Sequence, residues 1–393
     1  MIVNEVNNIL FALLRSVLVG EQFDKSVVSK IDEPMLNELY EISRKHDIAQ
    51  IVCVALENEG VLRYGETATK FAKRQLEAVY RYENQKYELD RISDKLTEHK
   101  IPFIPLKGSV IRSLYPEPWM RSSGDIDILV RKEDHERAKK ILLSDLEYAD
   151  MKIGTEHDVS LRSPGGVHVE LHFSLEGIDE ITNLSLSRVW EYALTEQNCY
   201  RYSLTNEFLI FHCVAHALTH FLLGGCGVRT FCDLYLMRTQ LDFDEAIVLE
   251  LCRTAQIEKF YLEAVSLAEV WLGHGEKSQI SGSLEQFVLT GGVFGTPTTR
   301  IAVRQSTSGG KSAYIGRRVF VSYDYLKKRY PEIKSAVQMP FYQVRRWVDA
   351  VKNRRIKKAV EELKISNSID KSEMDGICDL IAHLEISNHV KKR

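Results

Sequence analysis

No Cys-x-x-Cys pair occurs in the 393 residues, and the seven cysteines, at 53, 199, 213, 226, 232, 252 and 378, are scattered and odd in number. That excludes a zinc knuckle or a disulfide framework, so reduced thiols and a cytoplasmic location are expected. Long apolar runs are missing too. The most hydrophobic stretch, Ile9–Leu14 with Val17–Val19, is interrupted by Arg15 and lacks the basic start and small-residue cleavage site of a signal peptide. It reads as a core-facing helix, and no membrane span is expected. Neither sign of charge predominates: the net charge is −3, so nothing argues globally for a nucleic-acid partner. A phosphate-binding P-loop is absent as well. Gly309-Gly310-Lys311-Ser312 imitates its end, but Gln305 stands where the first glycine must be and no buried strand precedes it.

What is present is an ordinary soluble composition, 44% hydrophobic and 27% charged, long enough for two or three compact units. Within it one stretch carries chemistry. Residues 124–130, Gly-Asp-Ile-Asp-Ile-Leu-Val, alternate as a strand does, with Asp125 and Asp127 on one face and Ile126 and Ile128 on the other. Their Cα atoms are then about 7 Å apart. Two such carboxylates in a partly buried site repel, and a hard divalent cation, above all Mg²⁺, is the usual means of keeping both ionised. Upstream, the apolar segment Ile101–Lys107 runs into Gly108-Ser109 and a helical turn, where a glycine admits close backbone approach and free N–H groups can hold a phosphate. Downstream, 134–148 is amphipathic with helical spacing. Strands near 157–162 and 167–173 follow, joined by Pro164-Gly165-Gly166. On the second of these, His168, Glu170 and His172 share a face, which supplies a third carboxylate.

The order strand, Gly-Ser, helix, strand with Asp-x-Asp, helix, and a later strand with one more acid resembles the DNA polymerase β-type nucleotidyltransferase superfamily. The fuller string, Pro105-Leu-Lys-Gly108, Leu114-Tyr-Pro, Arg121 and Gly124–Val130, looks like its uncharacterised bacterial nucleotidyltransferase branch. Two departures stand out: fifteen residues separate Ser109 from Asp125, implying a longer loop at 116–123, and the third acid is Glu170 rather than the more frequent Asp. The resemblance implies an α+β fold, a small mixed-sheet nucleotidyltransferase core flanked by helical regions. It implies transfer of a nucleoside monophosphate from an NTP, ATP among them, to an acceptor with release of pyrophosphate. Asp125, Asp127 and Glu170 would be catalytic and would hold Mg²⁺ or Mn²⁺. Lys107, Gly108, Ser109 and Arg121 would meet the nucleotide's phosphates. The acceptor, a small molecule, sugar or peptide, leaves no mark in the sequence.

Four regions are expected: helices over 1–98, the core at 99–180, a helical region lining the cleft at 181–275, and 276–393, of which 276–312 is rich in Gly, Ser and Thr and reads as a long loop. In the third, His212, His216 and His220 fall on one helix face. A zinc site there lacks the His-Glu-x-x-His glutamate, and three histidines in line do not converge on one tetrahedral ion. The resembling branch has a His-x-x-x-His helix followed by Arg and Asp, which assigns His216, His220, Arg229 and Asp233 to a polar wall of the nucleotide site. From Arg317 to Lys358 thirteen basic residues face three acidic ones; the helix 344–364 within it reads as a solvated face docked through Trp347 and Val351, or as a surface for an anionic partner. Two rival functions remain: a catalytically inactive interaction module, and a metal hydrolase built on His168, Glu170 and His172.

Overall fold

The alternation at 124–130 and at 168–172 is realised as two neighbouring strands. The computed structural model describes residues 2–154, 158–195, 199–352 and 356–389. In it β1 (Phe103–Pro105), β2 (Ile126–Val130), β3 (Ala149–Gly154), β4 (Asp158–Arg162) and β5 (His168–His172) form one sheet in the order β1-β2-β5-β4-β3. β2 and β5 run parallel, while the other pairs are antiparallel. Residues 200–202 cover the β1 edge, where Phe103 exchanges backbone hydrogen bonds with Tyr200 and Tyr202. With helical regions at both ends, the fold is α+β as expected.

Period two decides which face holds what. Ile126, Ile128, Val130, Leu161, Val169 and Leu171 pack under Ile92 and Leu96 of the long helix Glu66–Glu98 and under Ala138, Ile141 and Leu142 of the helix His135–Ser144. Each such buried aliphatic side chain contributes roughly 1.5–3 kcal/mol, so slipping either strand by one residue is prohibitive. The acids are thereby held on the opposite face. A second, larger core joins both ends of the chain, from Val6 to Ile386. Within it the first helix, Ile2–Leu18, lies against the helix Glu258–Leu272, with Phe11 stacked on Trp271 at 4.5 Å.

Three expectations need correction. Residues 276–312 are not a long loop but contain the helices Gln279–Gly291 and Pro297–Ser308. Their Ser and Thr residues are caps: Ser278 with Ser281, and Thr296 with Thr299, close reciprocal capping boxes. Strand β3 was not foreseen, although Ala149, Met151 and Ile153 alternate with Asp150 and Lys152; its pairing with β4 shifts register between Asp150 and Gly154. The basic helix 344–364 falls within two described helical stretches, Met339–Lys352 and Ile356–Ser368, with residues 353–355 outside the described residues. Its docking differs from the expectation, since Val351 is 58% exposed. Tyr342, packed with Leu326, Tyr330 and Ile333, holds the first helix instead, aided by Trp347, whose Nε1–H donates to the Val319 carbonyl at 3.1 Å.

Candidate active site

The register of β2 on β5 sets Asp127 beside Glu170, with Asp125 two residues earlier on the same face. Carboxylate oxygens of Asp125 and Glu170 and a ring nitrogen of His168 lie within 4.8 Å of one another, as do those of Asp127, Glu170 and His172. His172 Nε2 is 2.9 Å from Asp127 Oδ1, and Lys107 Nζ is 3.8 Å from the same oxygen. Lys107 sits at φ 39°, a strained conformation that turns the chain at the end of β1.

These surroundings divide the acids. Burial would raise the Asp127 carboxyl, but Lys107 and His172 outweigh it and hold the group well below the ordinary range. The Asp125 carboxyl is raised by burial and by the neighbouring Asp127. Glu170 is raised by burial and then by Asp127 and Asp125. The protein therefore concentrates negative charge here and leaves the repulsion standing. Three carboxylates this close, with imidazoles at hand, suit a divalent cation of the Mg²⁺ or Mn²⁺ class.

Around the acids is a cavity of about 350 Å³, lined by Lys107, Gly108, Arg121, Asp125, Asp127, Glu170, His216, His220, Arg229 and Asp233 among others. Every nucleotide-site residue expected from sequence is in that lining except Ser109, which is half-buried outside it and whose N–H is donated to the Leu106 carbonyl at 3.1 Å. Gly108 has a packing reason to be glycine: a Cβ there would lie 2.6 Å from Arg121 Nη1 and 2.7 Å from Ser123 Oγ.

Arg121 and Asp233 were each expected to face the nucleotide, yet they grip one another. The guanidinium bonds both carboxylate oxygens, Nη2 to Oδ2 at 2.8 Å and Nε to Oδ1 at 3.2 Å, and Tyr115 donates its hydroxyl to Oδ1 at 2.8 Å. Burial opposes the charge on Arg121, but Asp233 outweighs it and raises the guanidinium above its ordinary value. Arg229 pairs with Asp47 and donates to the Ser122 carbonyl at 2.8 Å. Together with Gln50, bonded to the Met120 carbonyl at 2.6 Å, and Gln85, bonded to the Ser123 carbonyl at 3.1 Å, these contacts clamp the loop 116–123. Asp47, Gln50 and Gln85 went unnoticed in the sequence, where no motif marks them.

The histidine helix, Asn206–Leu222, presents His216 and His220 to the cavity but not His212, which is buried and whose Nδ1 has no partner among the described residues. His216 Nε2 and His220 Nε2 are 2.9 Å apart. Burial, then the Lys107 charge, pushes His216 far down and His220 to about 4, so both are neutral at physiological pH and one ring donates to the other. A zinc site on this helix has no support, because none of its histidines belongs to a metal-ligating cluster among the described residues. The residues of the hydrolase alternative divide between the two clusters, His168 in one and His172 in the other, with Glu170 common to both.

All seven cysteines are free. No helix among the described residues is long and apolar enough to cross a membrane. A family described as uncharacterised nucleotidyltransferases matches residues 32–273, more than half of the chain. No curated protein matches it.

Proposed function

Because the chain belongs to this uncharacterised nucleotidyltransferase family, we propose that it transfers a nucleoside monophosphate from an NTP to an acceptor. The observation that carries the reading is the gathering of Asp125, Asp127 and Glu170 on one sheet face inside the cavity. The acceptor oxygen forms a bond to the α-phosphorus, the bond from that phosphorus to the bridging oxygen breaks, and pyrophosphate leaves with the bond's electron pair. Mg²⁺ or Mn²⁺ held by the three carboxylates would supply charge neutralisation on the triphosphate and the leaving group. Asp127, already ionised beside Lys107 and His172, is the fixed member of that set. Glu170, with its raised affinity for a proton, accepts the acceptor's hydroxyl proton. Lys107 offers its ammonium to phosphate oxygens. His216 and His220, being neutral, contribute hydrogen bonds without charge. Arg121 and Asp233 are consumed by each other and shape the wall.

The test incubates the protein with Mg²⁺ or Mn²⁺, each of the four α-³²P-labelled NTPs and fractions of small molecules, sugars and peptides. Transfer of label to one fraction, with release of pyrophosphate and loss of both in Asp125→Asn, is the expected result. Failure of every NTP to bind or react overturns the proposal and favours a catalytically inactive interaction module.

A further inference from the structure

The cavity's lining changes character. Lys107, the three acids and the histidines make it polar, whereas Leu234, Met237, Val293 and Phe294 make it apolar. The last two come from residues 292–295, the short link between the helices Gln279–Gly291 and Pro297–Ser308, and lie beyond the stretch 32–273 that matches the family. Phe294 is 75% exposed, and no aromatic ring packs on it among the described residues.

A lone exposed phenylalanine is ordinary and needs no explanation by itself. This one differs in its mounting. Its link is seated on residues 224–227 by glycine against glycine: a Cβ on Gly225 would lie 2.0 Å from the Gly295 nitrogen, and one on Gly295, at φ 73°, 2.3 Å from the Gly224 carbonyl oxygen. A Cβ on Gly227 would come within 2.6 Å of the Val293 side chain. Arg300 donates to the Phe294 carbonyl through Nε at 3.0 Å and Nη2 at 2.6 Å, and the Val293 N–H reaches the Lys45 carbonyl at 3.3 Å. Thr299 Oγ1 fixes the other side by donating to the Gly224 carbonyl at 2.7 Å. The backbone is thus fastened on every side, yet its largest apolar side chain is left in water at the cavity.

We infer that Phe294 is the stacking platform for the base of the bound nucleotide. The inference rests on the proposed function. A ligand that is anionic at one end and planar and apolar at the other matches the division of the lining, and an NTP is such a ligand. A rigidly mounted ring loses little freedom on stacking, and every base offers a π-face. Because the platform lies outside the matched stretch, the base is held by a part of this chain that the family's shared region does not contain.

The test titrates the full chain, with Mg²⁺, with non-hydrolysable α,β-methylene analogues of the four NTPs and, separately, with inorganic tripolyphosphate. Phe294→Ala is expected to weaken the best-bound analogue about 10-fold or more, to leave tripolyphosphate affinity unchanged, and to be rescued by Phe294→Trp. Equal analogue affinity in wild type and Phe294→Ala overturns the inference while leaving the proposed function standing, and a rise in acceptor KM in that variant would reassign the ring to the acceptor. Equal weakening of analogue and tripolyphosphate also overturns it, by tracing the effect to the phosphate end. Wild type that binds no analogue overturns the proposed function itself.

Discussion

The carboxylates of β2 and β5 and the ion pair Arg121–Asp233 line one cavity, yet they are built in opposite ways. Asp233 has every electrostatic need met, by a two-pronged guanidinium and a tyrosine hydroxyl. Asp125 and Glu170 are left with carboxyls raised by burial and by one another's neighbourhood. Charges that hold the wall together are paired; the charges proposed to meet a ligand are left in tension. The contrast separates two sets of residues that sequence alone placed together in the nucleotide site.

The sharpest way to break this comparison is to remove the satisfied acid. Asp233→Ala strands a buried guanidinium, so a loss of about 3–5 kcal/mol in urea unfolding is expected. A loss below about 1 kcal/mol would show that Arg121 finds another partner and that the pair is not structural.

The unsatisfied acids should respond in the reverse direction and less strongly. A carboxyl whose folded value is raised contributes stability that is present below its ordinary value, 4.5 for Glu170, and is lost as pH rises through the raised one. Without metal, Glu170→Gln should therefore melt higher than wild type at neutral pH, with the advantage fading as pH falls through the raised value towards the ordinary 4.5. Asp127 carries the opposite sign. Its folded value is held low, so its contribution is present above 3.8 and lost only as pH falls towards the lower folded value. Relief of repulsion is thus expected from neutralising Asp125 or Glu170 and not from neutralising Asp127, which has Lys107 and His172 beside it. Melting curves in EDTA across pH decide this, and an Asp127→Asn variant more stable than wild type at neutral pH would reverse the assignment.

The smallest effect concerns the histidine helix. His220→Ala removes the bond to His216, at a cost of roughly 1 kcal/mol, and should weaken NTP binding more than it lowers the melting temperature. Unchanged binding per folded molecule would make the pair a packing feature only.

Much of the sheet was legible because burial on one face and acids on the other force strict alternation, which β2 and β5 keep. β3 keeps the period too, in Ala149, Met151 and Ile153, but it follows directly on the helical pattern that ends at Tyr148, with no Gly or Pro between them to mark a boundary. The helix Gln279–Gly291 keeps its period in Leu284, Phe287, Val288 and Gly291, but Ser and Gly at the intervening positions made it look like a loop. For the site, strand alternation delivered Asp125, Asp127 and Glu170, whereas the partners of Arg121 and Arg229 could not be foreseen. Asp233 and Asp47 reach them across 112 and 182 residues of chain, with no local pattern to announce the pairing.

The central claim, that the carboxylates of β2 and β5 together hold a metal and a triphosphate, is tested most directly by melting wild type and Asp127→Asn with and without Mg²⁺ plus NTP. Ligand at 100 times its Kd stabilises a single-site protein by about 2.7 kcal/mol. Wild type should show a rise of that order with at least one NTP, and Asp127→Asn, folded but lacking the fixed carboxylate, should show almost none. An equal rise in both proteins would contradict the claim.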